Sequence, residues 1–123
     1  GKQKRDFIYV TDVADAFYKS ARSKINNEIF NLGAGNPQSI SKLIKLIDPK
    51  NPIIFIPKRP GEPNITWADI SKITKMVKWK PKIKFEKGVK LMIKDIESWK
   101  DAPLWEKDSI DKATKSWFKY LSK

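Results

Sequence analysis

Three short apolar runs, residues 7–10 (Phe-Ile-Tyr-Val), 28–32 (Glu-Ile-Phe-Asn-Leu) and 53–56 (Ile-Ile-Phe-Ile), alternate with stretches whose apolar residues recur at helical spacing. That alternation predicts an α/β arrangement, a small sheet of about three short strands with covering helices. Run 53–56 is apolar without alternation, the pattern of a strand covered on both faces. Thr11 and Asp12 read as the N-cap of a helix that turns Val13, Ala16 and Phe17 inward. Ser39 opens a second helix with Ile40, Leu43, Ile44 and Ile47 on one face, and residues 48–52 end it. Asp69 caps a third, built on Ile70, Ile73 and Val77 and closed by Trp79-Lys80-Pro81. An amphipathic helix from about 85 to 99 uses Val89, Ile93 and Ile96 and breaks at 101–104. The last, from about 109 to 121, presents Ile110, Ala113, Trp117, Phe118 and Leu121. Three strands beginning so close to the first residue predict a lobe whose remaining partner lies outside this chain.

Composition narrows the chemistry. Without cysteine or histidine there is no disulfide framework, thiolate metal site, Ser-His-Asp triad or Cys-His pair, so no metal is expected. No apolar run approaches the roughly 18 residues of a spanning helix, and no membrane partner is expected. Residues 1–6 are charged and run into a strand-like segment without an apolar h-region, which predicts a cytoplasmic location. The formal charge of +12 comes from 23 Lys and 3 Arg against 14 acidic residues, and the lysines are scattered. Scattered lysines suit solvated helix faces. A basic nucleic-acid-binding domain is the alternative from another class, with neither a recognition motif nor clustered arginine in its favour.

Scarcity makes the arginines informative. A chain that fills ordinary basic positions with Lys places Arg where a planar, bidentate guanidinium is needed. Arg22 falls near a helix end, where a cation suits the exposed carbonyls. Arg59 follows run 53–56, in a loop stiffened by Pro60 and Pro63, at the strand edge where α/β proteins bind ligands. It could meet two phosphate oxygens at once, and Glu62 could accept from a diol; an interlobe salt bridge is the other reading. Asp12, Asp15 and Asp69 sit at helix starts as caps. Gly33-Ala34-Gly35 is half of a dinucleotide fingerprint, but the third glycine is missing and Pro37 removes an amide, so it reads as a turn.

Four segments in register carry a resemblance. The segment Gly1-Lys2-Gln3-Lys4-Arg5-Asp6-Phe7-Ile8-Tyr9-Val10-Thr11-Asp12-Val13 looks like the "RDF-YV-DV" signature of extended short-chain dehydrogenase/reductases that act on nucleotide-sugars. Phe30-Asn31-Leu32-Gly33 resembles their "FN-G" strand, and Arg59-Pro60-Gly61-Glu62 their "RPG-(acid)" loop. Ala68-Asp69-Ile70-Ser71-Lys72 with Trp79-Lys80-Pro81 resembles "AD--K…W-P". The resemblance implies the C-terminal, substrate-binding lobe of an NAD-dependent nucleotide-sugar epimerase, UDP-glucose 4-epimerase-like, or of a 4,6-dehydratase. It implies that Arg5 and Arg59 contact the diphosphate and that Glu62 holds the ribose; Asn31, in the second motif, is a fourth substrate-binding candidate, assigned to fold and turn structure more than to ligand. NAD and the catalytic Tyr-x-x-x-Lys pair would lie on a missing N-terminal Rossmann domain. Tyr9 and Tyr18 are followed four residues on by Val13 and Arg22, so no catalytic residue is expected here and the isolated chain should be inactive. The family-like part spans 1–98. The Trp-rich helical tail, 99–123, fits core packing, with a homodimer or interlobe contact as the alternative.

Overall fold

The computed structural model describes residues 1–50, 52–102 and 104–121. Its elements in chain order are β1 (Lys4–Arg5), α1 (Val10–Arg22), β2 (Gln38–Ser39), α2 (Ile40–Ile47), α3 (Ser71–Val77), α4 (Phe85–Lys94), a 3-10 turn (Ile96–Trp99) and α5 (Lys107–Leu121). The α/β character holds, but the sheet differs from expectation. It has two strands, β1 and β2, paired antiparallel with Lys4 opposite Ser39 and Arg5 opposite Gln38. On its other side Lys4 bridges Ile65, its amide donating to Asn64 O at 2.8 Å and its carbonyl accepting from Thr66 N at 3.1 Å.

None of the three predicted strands forms a ladder. A strand exists through its neighbour, whereas β-branched and aromatic runs signal only that a segment is to be covered. Ile8, Phe30 and Leu32 from the first two runs do pack on the core. Run 53–56 stays exposed, with Phe55 at 77%.

The core is small and centres on Trp79, which is fully buried against Ala16 and Ile73, with Ile70 and Val77 around it. Lys78, the C-cap of α3, takes a left-handed φ of 58°, and this reversal ends the helix just before Trp79. α2 packs against α4, and Lys42 joins the two by an ion pair to Glu86. Its hydrogen bond to Glu86 holds that half-exposed carboxyl below the usual range.

Two carboxylates expected as caps do other things. α1 starts at Val10, with Tyr9 as its N-cap, so Asp12 lies inside the first turn. There it is 3% exposed and accepts the backbone amides of Lys82 at 3.0 Å and Ile83 at 2.9 Å. Asp15, mid-helix, pairs with Lys19 and Lys82. Ser39 does cap α2, accepting from Lys42 N at 3.1 Å. Asp69 acts from one residue further out, its carboxylate accepting Ser71 N at 2.9 Å. Hydrogen bonds from Ser71 hold its carboxyl below the ordinary value.

The predicted inner faces are also thinner than expected. Phe17 is 68% exposed, α4 ends at Lys94 and leaves Ile96 in the 3-10 turn, and α5 buries no residue. Asn51 and Pro103, within the two predicted breaks, lie outside the described residues, as do Ser122 and Lys123. The chain exposes 10253 Å². A compact monomer of 14.3 kDa exposes about 6,800 Å². Large apolar side chains are among those exposed, Ile29, Ile54, Phe55, Trp67 and Leu104 included.

Residues 59–62 form a tight turn, Glu62 N donating to Arg59 O at 3.2 Å. Pro60 and Gly61 occupy its two central positions, and Gly61 has a φ of 73°, the arrangement of a type II turn.

Two substitutions probe these supports. Asp12→Ala orphans two amides and should lower stability by about 2–4 kcal/mol in urea denaturation, with faster hydrogen exchange at Lys82 and Ile83; unchanged exchange there would count against the assignment. A Cβ on Gly61 meets no atom within 4 Å, so only its left-handed backbone resists substitution. Gly61→Ala should therefore cost about 1–2 kcal/mol, with Gly61→Asn recovering part of the loss.

Candidate functional site

The β1 pairing sets Arg5 beside the 62–66 segment, and this brings three of the four candidate residues together. Arg5 Nη2 donates to Glu62 Oε1 at 2.9 Å, and Arg59 Nη2 donates to the same oxygen at 3.1 Å. The second Arg5 nitrogen, Nη1, donates to the carbonyls of Lys4 at 2.8 Å and Pro63 at 3.0 Å. Arg5 is thus tied to the backbone on one side and to the carboxylate on the other. Arg59 is held more lightly. Of its five N–H donors, one engages a described residue. Glu62 Oε2 accepts no hydrogen bond from the described residues.

Two guanidinium groups against one carboxylate leave the cluster one positive charge in excess. It opens on a groove of about 640 Å³ lined by Ile44, Ile54, Ile56, Arg59 and Glu62. An apolar wall beside a guanidinium fork with free donors suits an amphipathic anionic ligand.

The fourth candidate lies elsewhere. Asn31 is exposed and lines a separate shallow groove with Asp6, Thr66 and Trp67. The neighbouring turn is occupied by Asp6, whose carboxylate accepts the amides of Ala34 at 3.0 Å, Gly35 at 3.1 Å and Asn36 at 3.3 Å. Asp6 also accepts Ala68 N at 3.2 Å. A Cβ on Gly33 would collide with the Asp6 carboxylate and the Ala68 methyl, which is why glycine stands there. With these three amides aimed at an internal carboxylate, the turn cannot cradle a pyrophosphate, in keeping with its reading as a turn.

Sequence reasoning missed two residues. Asp6 sat inside a recognised motif with no signal of its own, because its partners are 28 to 62 positions away. Trp117 fitted core packing, but it remains 37% exposed on α5 and lies against the 59–62 turn. Its indole N–H donates to Pro60 O at 2.7 Å, and the Arg59 guanidinium lies 4.9 Å from its ring centroid. Among the described residues no group of three or more acidic side chains could hold a metal ion, and no helix is long and apolar enough to cross a membrane.

Comparison with known proteins agrees with the four motifs. Residues 1–92 match the family described as GDP-mannose 4,6 dehydratase. The chain is 34% identical over 116 residues to a UDP-glucuronate 4-epimerase of Thermodesulfobacterium geofontis, covering 90% of this chain and 32% of that protein. Its fold superposes, with a TM-score of 0.72 and 32% identity, on a UDP-N-acetylglucosamine 4-epimerase from Methanobrevibacter ruminantium solved with UDP-N-acetylmuramic acid, over 80% of this chain and 33% of that one. It also superposes on the UDP-glucuronic acid 4-epimerase of Bacillus cereus in complex with UDP-glucuronic acid and NAD, with a TM-score of 0.71, 31% identity and the same coverage. The chain spans about a third of the length of these relatives. It belongs to the GDP-mannose 4,6 dehydratase family, and UDP-sugar 4-epimerases are among its relatives.

Proposed function

We propose that this chain is the C-terminal, nucleotide-sugar-binding part of an NAD-dependent epimerase that acts on a UDP-sugar at C4. The observation that carries the reading is the convergence of Arg5 and Arg59 on one oxygen of Glu62 beside the open groove. Glu62 holds both forks in place before a ligand arrives, so less ordering remains to be done on binding. Arg59, with its donors largely free, takes the diphosphate oxygens in a charge-assisted, bidentate contact. Arg5, fixed to two carbonyls, supplies charge and braces Glu62. The second Glu62 oxygen is available to a ribose hydroxyl. Asn31 serves the loop more than the ligand.

The proton and hydride transfers belong to the part of the protein outside this chain. The resemblance implies NAD on a Rossmann domain there, and the turn at residues 33–36 does not fit the cofactor's pyrophosphate, since the amides of residues 34–36 are engaged by Asp6. The surface left exposed at 29, 54–55 and 67 suits contact with such a domain. The matching family description favours a 4,6-dehydratase as the second reading, with the same phosphate contacts. Nothing in the geometry adds to the nucleic-acid alternative, whose sole motive is the charge.

In the intact protein Arg59→Lys should weaken UDP binding about tenfold by calorimetry, the loss of one charged hydrogen bond; unchanged affinity would count against the assignment. The purified 123-residue chain should turn over no UDP-sugar even with NAD added, and measurable epimerisation by it would overturn the division of labour.

A further inference from the structure

α5 meets the proposed phosphate loop through Trp117, and the contact has two points. The indole N–H holds the Pro60 carbonyl at 2.7 Å while the ring lies under the guanidinium of the preceding residue, Arg59. One side chain therefore grips both the backbone of the turn and the functional group that the turn presents. Trp117 is not a core residue, because α5 contributes no buried residue and Trp117 itself is 37% exposed. The geometry of a guanidinium gives the contact its consequence. Its five N–H donors fan out in one plane, and the attraction to the ring quadrupole at 4.9 Å acts on the charge without using an oxygen acceptor. Glu62 engages a single Arg59 nitrogen, Nη2. The ring restrains the guanidinium while its other nitrogens engage no oxygen of the described residues.

We infer that Trp117 is a positioning residue for Arg59, through which α5 raises the affinity of the groove for a nucleoside diphosphate. This rests on the reading of Arg59 as a diphosphate contact.

Two measurements on the intact protein separate that reading from the inference. The Arg59 Nε–H resonance, identified by its disappearance in Arg59→Lys, should be displaced upfield by the ring current. It should return toward the ordinary position in Trp117→Ala and stay largely displaced in Trp117→Phe, which keeps a ring. In calorimetry with UDP, Trp117→Ala should weaken binding about two- to fivefold, Trp117→Phe should retain most of the affinity, and the loss should shrink in an Arg59→Lys background. An Arg59 resonance unmoved by Trp117→Ala would overturn the inference. So would tighter UDP binding in Trp117→Ala, which would make α5 a cap that obstructs the groove. If the unaltered protein fails to bind UDP, the nucleotide reading falls, while the resonance still reports whether the indole orients Arg59.

Discussion

Four backbone amides from two loops, at residues 34–36 and 68, converge on the carboxylate of Asp6, and the placement of the candidate site depends on that convergence. A carboxylate offers about four lone-pair sites, and here each is matched to an amide of a loop that lacks a ladder of its own. The loops are drawn in around residue 6, directly after β1. The ladder at Lys4 and Arg5, with Gln38-Ser39 on one side and Ile65 on the other, is held at the same point. Arg5 therefore faces Pro63 and Glu62 because its neighbour Asp6 has gathered the chain around it. Asp12 repeats the device at smaller scale, fastening residues 82–83 to α1.

Carboxylate hubs carry this weight because the apolar core is slight. Trp79, Ile73 and Ala16 form a compact centre, yet the surface exceeds that of a compact chain of this mass by about half. Charged side chains that accept several amides each can order loops where hydrophobic contact is scarce, since hydrogen bonds to ionised groups are about twice as strong as neutral ones. The same logic governs the site. Glu62 aligns two guanidinium groups that would otherwise repel, and Trp117 adds an aromatic face without competing for donors.

Much of this was legible in the residues. The spans of α1, α2, α3 and α5 follow from apolar spacing and turn residues to within a few positions, since helical hydrogen bonds join residues four apart. The scarcity of arginine singled out Arg5, Arg22 and Arg59, the motif resemblance chose Arg5 and Arg59 among them, and the Pro-Gly pair after Arg59 announced the turn. The strands were not legible. Runs 7–10, 28–32 and 53–56 have strand composition, but a ladder needs a partner at a matching register, and composition carries no information about the partner. Asp12 likewise resembled a cap, because an acidic residue at a helix start looks the same whether it faces its own amides or those of Lys82 and Ile83.

By itself the sequence determined the family resemblance, most helix spans and the arginine candidates, which rest on residue type, local spacing and the order of short motifs along the chain. Only the tertiary structure decided that Arg5 and Arg59 share one oxygen of Glu62, that Asp6 is a hub, that Asn31 stands in a different groove, and that Trp117 lies against the 59–62 turn. Those contacts join residues as much as 57 to 62 positions apart. Their partners are chosen by the path of the chain through space, and local periodicity carries no record of that path.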